Sequence, residues 1–155
     1  MSPEEMKERA RQGAEDCWNA PNMDELDEIL APDYKVYVAG TLTYDGRDHM
    51  KEQVSMARAA FPDVHVKVED LIAEGDKVAA RFTFGGTQTG PYVTEMGTLP
   101  PTGKKVEVTG IIIFRFANGK IVENREVLDT LGMLQQLGIV PSPGQPAEGP
   151  VGASA

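Results

Sequence analysis

The sequence lacks several features that would each identify a class of protein. Its single cysteine, Cys17, can form no disulfide within the chain. Only His49 and His65 accompany it, and their spacing is not that of a metal site, so we expect no bound metal. No apolar run approaches the roughly 20 residues that cross a bilayer, and the charged start is unlike a signal peptide. These absences predict a cytoplasmic protein without membrane contacts.

Clustered basic residues are missing as well. The chain of 155 residues has 15 Lys and Arg against 24 Asp and Glu, a formal net charge of -9. Binding to nucleic-acid phosphates needs clustered cations, so we expect no nucleic-acid partner. A composition that is 41% hydrophobic and 25% charged is typical of a globular protein, and the length suits one domain. A small molecule or another protein is therefore the expected partner.

Hydrophobic spacing predicts helices in the first part of the chain. Apolar residues recur at steps of three and four from Pro3 to about Asn19. A second, short helix follows Asn22, a short strand covers residues 34–38, and a third helix covers residues 46–60. These helices should each bury one face.

After residue 62 the apolar residues recur at every second position, which is typical of strands. Residues 64–73 and 77–86 are predicted to pair through a turn, and residues 87–106 to form irregular connections around a short strand. Two long strands then meet at Asn118-Gly119, a pair that tolerates the positive φ angles of a two-residue turn. The chain therefore predicts an α+β fold in which helices pack on one face of a curved antiparallel sheet.

This turn also predicts a register for the last two strands. With Phe116 opposite Ile121, even-numbered residues of the first strand share a face with odd-numbered residues of the second. That face would carry Val108, Gly110, Ile112, Phe114 and Phe116 together with Glu123, Arg125, Val127 and Asp129. The other would carry Ile111, Ile113, Val122 and Leu128. Because both faces are partly apolar, we expect helices to cover one and a second subunit to cover the other, in a homodimer.

A last short helix is predicted over residues 130–137, with Gly138 suited to its C-terminal end. The following residues are rich in Pro, Gly and Ala and offer little to bury. We therefore expect one domain over residues 1–140 and a flexible tail over residues 141–155.

Four stretches resemble the SnoaL-like polyketide cyclases, a group within the fold of nuclear transport factor 2 and ketosteroid isomerase. They are residues 17–34, 60–90, 99–116 and 118–138, the last ending "DTLGMLQQLG". The resemblance implies a cone-shaped domain around an apolar pocket, with the helices on the concave face of the sheet. It also implies an intramolecular aldol condensation that needs no metal or cofactor, with an aspartate at the end of the last long strand as acid and base. By position that residue is Asp129.

The chain departs from the group at several positions. Members often have Glu-His-Trp where this chain has Glu123-Asn124-Arg125, Thr-His-Thr-Gly around Gln88, and a histidine at Tyr37. The same fold also carries ketosteroid isomerases and epoxide hydrolases, so the fold alone does not set the reaction. Those two reactions and a non-catalytic role in binding a small molecule are the alternatives to cyclisation.

Asp129 has a structural interpretation beside the catalytic one. An aspartate before "TLGMLQQL" can cap the helix by accepting from its first backbone N–H groups, whereas an apolar enclosure would raise its pKa toward the range of a general base. Arg125 could bind an anionic or enolate oxygen, or pair with Glu123. The remaining candidates for substrate binding, each of which could instead be a core or structural residue, are Trp18, Tyr37, Met50, Phe84, Gln88, Ile112 and Phe114.

Overall fold

A computed structural model of the chain describes residues 1–19, 22–94 and 97–144. The N-terminal part is helical, as its spacing predicts. Helix α1 (Pro3–Arg11) continues into a π-helical segment (Gln12–Asp16) and a last turn, α2 (Cys17–Asn19). Ser2 caps α1 by accepting from the backbone N–H of Glu5, and Asn22 caps α3 (Met23–Ile29) in the same way. Helix α4 (Arg47–Ala60) follows a short hairpin.

A six-stranded sheet forms the rest of the domain. In spatial order its strands are β2 (Thr41–Asp45), β1 (Leu30–Val38), β8 (Lys120–Leu128), β7 (Lys105–Ala117), β4 (Lys77–Thr87) and β3 (His65–Glu74). Only β1 and β8 run parallel; the other pairs are antiparallel. The sequence does not predict β2, because this strand has only five residues and most of them are polar. The α+β fold with helices on one face of a curved sheet is confirmed.

The segment after β4 holds a second, two-stranded sheet of β5 (Tyr92–Thr94) and β6 (Gly97–Leu99). The sequence predicts one short strand in this segment, and the structure has two, which pair with each other. The last helix, α5 (Thr130–Gln136), ends before Gly138, whose φ of 76° is left-handed, as the sequence predicts. Most of the predicted tail, residues 145–155, lies outside the described residues.

The hairpin of β7 and β8 confirms the predicted turn and contradicts the predicted register. Asn118 and Gly119 both have positive φ, and Phe116 pairs with Ile121. A β-bulge at Val122 then shifts the pairing by one residue, so Arg115 lies opposite Glu123 and Ile112 opposite Glu126. Because side chains alternate along a strand, this one residue exchanges the two faces of β8.

The concave face of the sheet carries the core, and α1 and α4 pack against it. Even-numbered residues of β7 point inward and are buried, whereas the odd-numbered Ile111 and Ile113 point outward. A second cluster beside α5 holds Phe61, Val64, Val106, Val108, Met133 and Leu137. Among the described residues, no helix is both long enough and apolar enough to cross a membrane.

Candidate functional site

A single carboxylate lies in the middle of the concave face. The strand registers align five inward residues across the sheet, one from each of β1, β8, β7, β4 and β3. We call them the central row: Val38, Glu126, Ile112, Ala80 and Leu71. Four are aliphatic, so Glu126 has apolar neighbours on both adjoining strands.

This environment changes the acidity of Glu126. Burial raises the pKa of its carboxyl from 4.5 to about 7, because an apolar surrounding disfavours the charged form. No ion pair offsets this effect among the residues that the structure describes. The side chain is half-buried, and so is Val38 on the adjoining strand β1. Glu126 is therefore an accessible carboxylate that gains and loses its proton near neutral pH.

The adjacent row of the concave face contributes polar groups. Asn124 lies between Val36 of β1 and Phe114 of β7 and is 5% exposed. Burial raises the pKa of the Tyr34 hydroxyl well above its usual range, and a hydrogen bond with the amide of Asn124 opposes this rise. Tyr34 is therefore a neutral hydroxyl at neutral pH. Together with Glu126, these residues form the polar part of the concave face, and we call the three the inner triad.

Aromatic and aliphatic residues of the sheet and of the helices that pack on it surround the concave face, and five predicted site residues are among them. Trp18 and Phe84 are half-buried and meet edge to face, with ring centroids 6.1 Å apart. Met50, Ile112 and Phe114 are buried in the core. The structure therefore places these five predicted residues inside, where each packs against the core and where the half-buried ones can also meet a ligand.

Two other predicted site residues lie on the opposite face of the sheet. Arg125 and Tyr37 are paired neighbours on β8 and β1, and the guanidinium stacks 4.1 Å from the centroid of the tyrosine ring. The Nε of Arg125 also donates to Oε1 of Glu123 at 2.7 Å. The prediction that Arg125 shares a face with Ile112 is wrong because of the bulge, and its alternative as a salt-bridge partner of Glu123 is confirmed.

Asp129 is not enclosed. It is exposed at the junction of β8 and α5, where its Oδ1 accepts from the backbone N–H of Gly132 at 2.9 Å. Its predicted place opposite Val108 is wrong, because the bulge shifts the register by one residue: Leu128 lies opposite Gly110, and the backbone N–H of Asp129 donates to the carbonyl oxygen of Thr109 at 3.1 Å. The helix-capping interpretation is confirmed, and the catalytic role of Asp129 stays a prediction.

Gln88 is buried, and its amide is occupied by the chain around it. Nε2 lies within hydrogen-bond distance of the carbonyl oxygens of Gly90, Leu99 and Pro100, and Oε1 accepts from the Thr102 hydroxyl at 2.8 Å. These contacts tie the β5–β6 segment to the end of β4. The structure therefore gives Gln88 a role in holding this segment, and its predicted contact with substrate stays a prediction.

The outer face of the sheet has a groove of about 720 Å³. Its apolar residues Ile111, Ile113 and Val127 are 54%, 45% and 63% exposed. Arg81 and Arg125 border them, and both are engaged, with Asp70 and Glu123 respectively. We call this surface the outer groove.

Other reactive groups are few. Burial raises the pKa of the Cys17 thiol to about 12, so it stays protonated and unreactive at neutral pH. Within the described ranges, no group of three or more His, Cys, Asp and Glu side chains could hold a metal ion.

Sequence reasoning missed all three members of the inner triad. Without the bulge, Glu126 and Asn124 belong to the outer face, and Tyr34 seemed only the start of a short strand. One signal was present: Asn124, Glu126 and Leu128 alternate with Glu123, Arg125 and Val127, and neither set is more apolar than the other. That ambiguity left both registers open.

Comparison with known proteins places the chain among relatives that match most of its length. The model of the family described as SnoaL-like polyketide cyclase matches residues 8–137. Nogalonic acid methyl ester cyclase from Streptomyces nogalater is 29% identical over 127 residues, which are 79% of this chain and 90% of that protein.

Solved structures agree with the fold. TsrD from Streptomyces laurentii superposes with a TM-score of 0.77 at 26% identity, covering 89% of this chain and 98% of the other. IdmH from Streptomyces antibioticus gives 0.70 at 29% identity, covering 87% and 99%. A protein with a ketosteroid isomerase-like fold from Catenulispora acidiphila gives 0.67 at 19% identity, covering 89% and 95%, and therefore supports the fold alone.

Proposed function

Because the chain belongs to the SnoaL-like polyketide cyclase family, we propose that it catalyses an intramolecular aldol condensation with Glu126 as the acid and base. The observation that carries the proposal is the raised pKa of this carboxyl, about 7, in the middle of an apolar row. A general base works best when its pKa lies near the operating pH. The substrate class is a polyketide with two carbonyl groups that can meet in one ring.

The proposed reaction has two steps. The ionised Glu126 removes a proton from the carbon next to one carbonyl, which leaves an enolate. The enolate carbon then attacks the second carbonyl carbon, a C–C bond forms, and the carbonyl π pair moves to oxygen. That oxygen takes the proton back from Glu126, so the carboxylate is regenerated and nothing else is consumed. The aliphatic neighbours of Glu126 limit competition from water.

Asp129 is the alternative base, from the resemblance of its position. Two facts favour Glu126 over it. Asp129 is exposed, and one of its carboxylate oxygens already caps α5. Glu126 instead faces the same side of the sheet as Ile112 and Phe114, the predicted ligand contacts.

The test compares wild type with Glu126→Gln and with Asp129→Asn. Each substitution keeps the shape and removes the basic carboxylate, and Asn also retains the helix cap. Turnover is measured on a panel of polyketide esters, Δ5-ketosteroids and epoxides, with thermal unfolding as the check on folding. We expect Glu126→Gln to lose about 10²- to 10⁴-fold in kcat and Asp129→Asn to stay within about threefold of wild type.

The outcomes separate the candidates. Loss of turnover only in Asp129→Asn would make Asp129 the base and overturn the role of Glu126. Turnover of the ketosteroids or epoxides in place of the esters would keep the base and change the reaction. Wild type that binds panel members but turns over none of them would favour the non-catalytic binding domain, a function consistent with the lack of histidine in the inner triad.

We further propose a homodimer that buries the outer groove. Three exposed aliphatic residues in one groove are costly to leave in water, and the ion pairs at its border can meet the same pairs of a second copy in a two-fold arrangement. Ile113→Asp should give a monomer by sedimentation velocity at micromolar concentration. Ile72→Asp is the control, because Ile72 is 69% exposed on the edge strand β3 and does not line the groove. A monomeric wild type would contradict the proposal.

A further inference from the structure

One buried polar atom of the inner triad has no hydrogen-bond partner among the residues that the structure describes. Asn124 is 5% exposed, and its Oδ1 is buried without a hydrogen-bond donor. A buried acceptor that loses water and gains no donor costs stability, so such atoms are rare in folded proteins. At a functional site, such an unpaired acceptor indicates that a bound ligand supplies the missing hydrogen-bond donor.

The neighbouring strands offer this oxygen no side-chain donor. The residues that flank Asn124 on the neighbouring strands are Val36 and Phe114, which have no polar side-chain atoms. The other side of the amide is engaged with the Tyr34 hydroxyl, and this contact lowers the pKa of Tyr34 against the larger effect of burial. Because Oδ1 is the amide atom that has no hydrogen-bond partner among the described residues, we assign the contact with Tyr34 to Nδ2.

The position of Asn124 ties this oxygen to the reacting carboxylate. Asn124 and Glu126 are two residues apart on β8 and face the same side. At the rise of a strand their Cα atoms are about 6.5 Å apart. A ligand that presents a carbon acid to Glu126 therefore brings a neighbouring part of its ring system to Asn124.

We propose that Asn124 is a specificity-determining residue whose Oδ1 accepts a hydrogen bond from a hydroxyl group of the ligand, an enol or a phenol, beside the carbon that Glu126 deprotonates. The inference rests on the proposed function, since it takes Glu126 as the reacting group. Tyr34 acts as the positioning residue that orients the amide. The substrate class is thereby narrowed to carbonyl compounds with a hydroxyl donor near the acidic carbon.

The test uses three probes that differ in one substituent: 2-naphthol, 2-methylnaphthalene and 2-methoxynaphthalene. The methyl group has about the size of the hydroxyl, and the methoxy group accepts a hydrogen bond but donates none. Dissociation constants are measured by calorimetry for wild type, Asn124→Leu and Glu126→Gln. We expect wild type to bind 2-naphthol at least about tenfold more tightly than either control probe, since a site built for a hydroxyl rejects analogues that lack it.

Asn124→Leu should lose this preference and bind 2-methylnaphthalene as tightly as wild type does. A purely structural asparagine would weaken all three probes together and leave their ratios unchanged. Equal binding of the three probes by wild type, a preference that survives in Asn124→Leu, or failure of wild type to bind 2-naphthol at millimolar concentration would each overturn the inference. Thermal unfolding is the check on folding only, because Asn124→Leu also removes the hydrogen bond to the buried Tyr34 hydroxyl and therefore costs some stability whatever the role of Oδ1.

The variant Glu126→Gln separates this inference from the proposed function. We expect it to lose turnover and to keep the preference for 2-naphthol. Loss of turnover in Glu126→Gln without any hydroxyl preference in wild type would refute the role of Asn124 alone. Full turnover in Glu126→Gln together with an intact hydroxyl preference would refute the proposed base and leave Asn124 as a binding residue.

Discussion

The acidity of Glu126 makes a prediction that needs no substrate. Its pKa rises from 4.5 to about 7 in the folded protein, so the folded state holds a proton that the unfolded chain releases in this range. Stability therefore falls as the pH rises from about 4.5 to about 7. Each pKa unit corresponds to about 1.4 kcal/mol, which makes the total cost at pH 8 about 3 kcal/mol. Removing the ionisable group should recover this amount.

The variant Glu126→Gln tests this value. The measured quantity is the difference between the free energies of unfolding of Glu126→Gln and wild type. This difference should be smallest at pH 4 and rise by about 3 kcal/mol by pH 8, with most of the change between pH 5 and 7. For a domain of this size that is a difference in melting temperature of roughly 6–12 °C. Urea titrations at pH 4, 5, 6, 7 and 8 give the free energies of unfolding, and thermal unfolding at the same pH values gives the melting temperatures. Subtracting wild type from the variant cancels the groups that both proteins share.

A matched control lies on the other side of the strand. Burial raises the pKa of Glu123, but hydrogen bonds and charge from Arg125 and Arg115 outweigh it, and the net pKa is lowered. The ionised carboxylate of Glu123 therefore stabilises the fold at pH values above the ordinary pKa of a glutamate. Glu123→Gln should accordingly lose stability relative to wild type as the pH rises. A difference curve for Glu126→Gln that is flat, or that has the sign expected for Glu123, would refute the assignment of Glu126 to the apolar face.

Three further substitutions test single contacts, each by urea denaturation at pH 7. Asp129→Ala should cost about 1 kcal/mol through loss of the helix cap and Asp129→Asn far less; equal losses would contradict the capping role. Gly110→Ala should cost about 1–3 kcal/mol, because an added Cβ would lie 2.5 Å from Cζ of Phe82. The control is Gly40→Ala, whose added Cβ meets no atom within 4 Å, so that its only cost is that of the positive φ. Gln88→Leu should cost about 1–3 kcal/mol by leaving the carbonyls it contacts without a donor and should speed amide exchange at residues 97–104; unchanged exchange would refute the role of Gln88 as the tie for that segment.

The sequence predicts the elements of this fold well, since local rules govern them. Helix caps such as Asn22 and turn pairs such as Asn118-Gly119 act within a few residues, and the structure confirms both. The resemblance to a known family supplied the architecture that local rules do not determine. Five of the predicted ligand contacts lie on or against the concave face. Regularly spaced apolar residues are buried there whether they contact a ligand or only pack in the core.

Which polar side chains of β8 face the core is harder to predict, because it depends on the β-bulge at Val122. A β-bulge depends on twist and on packing against other strands, and neither is visible in the local pattern. With Val122 unrecognised, every side chain from Glu123 onward is assigned to the wrong face. The uncorrected register therefore places Arg125 inside the cone and Glu126 outside it, whereas Asp129 is predicted from the resemblance to the family.

The bulge at Val122 also makes the identity of the site depend on chain length. Deleting that one residue would keep the turn, the strand and nearly all the composition, yet it would bring Glu123, Arg125 and Val127 inward and turn Asn124 and Glu126 toward water. An insertion or deletion of a single codon could therefore change the reaction chemistry of such a sheet more than most substitutions can. In this fold, the number of residues between the turn and the end of the strand decides which side chains face the candidate site.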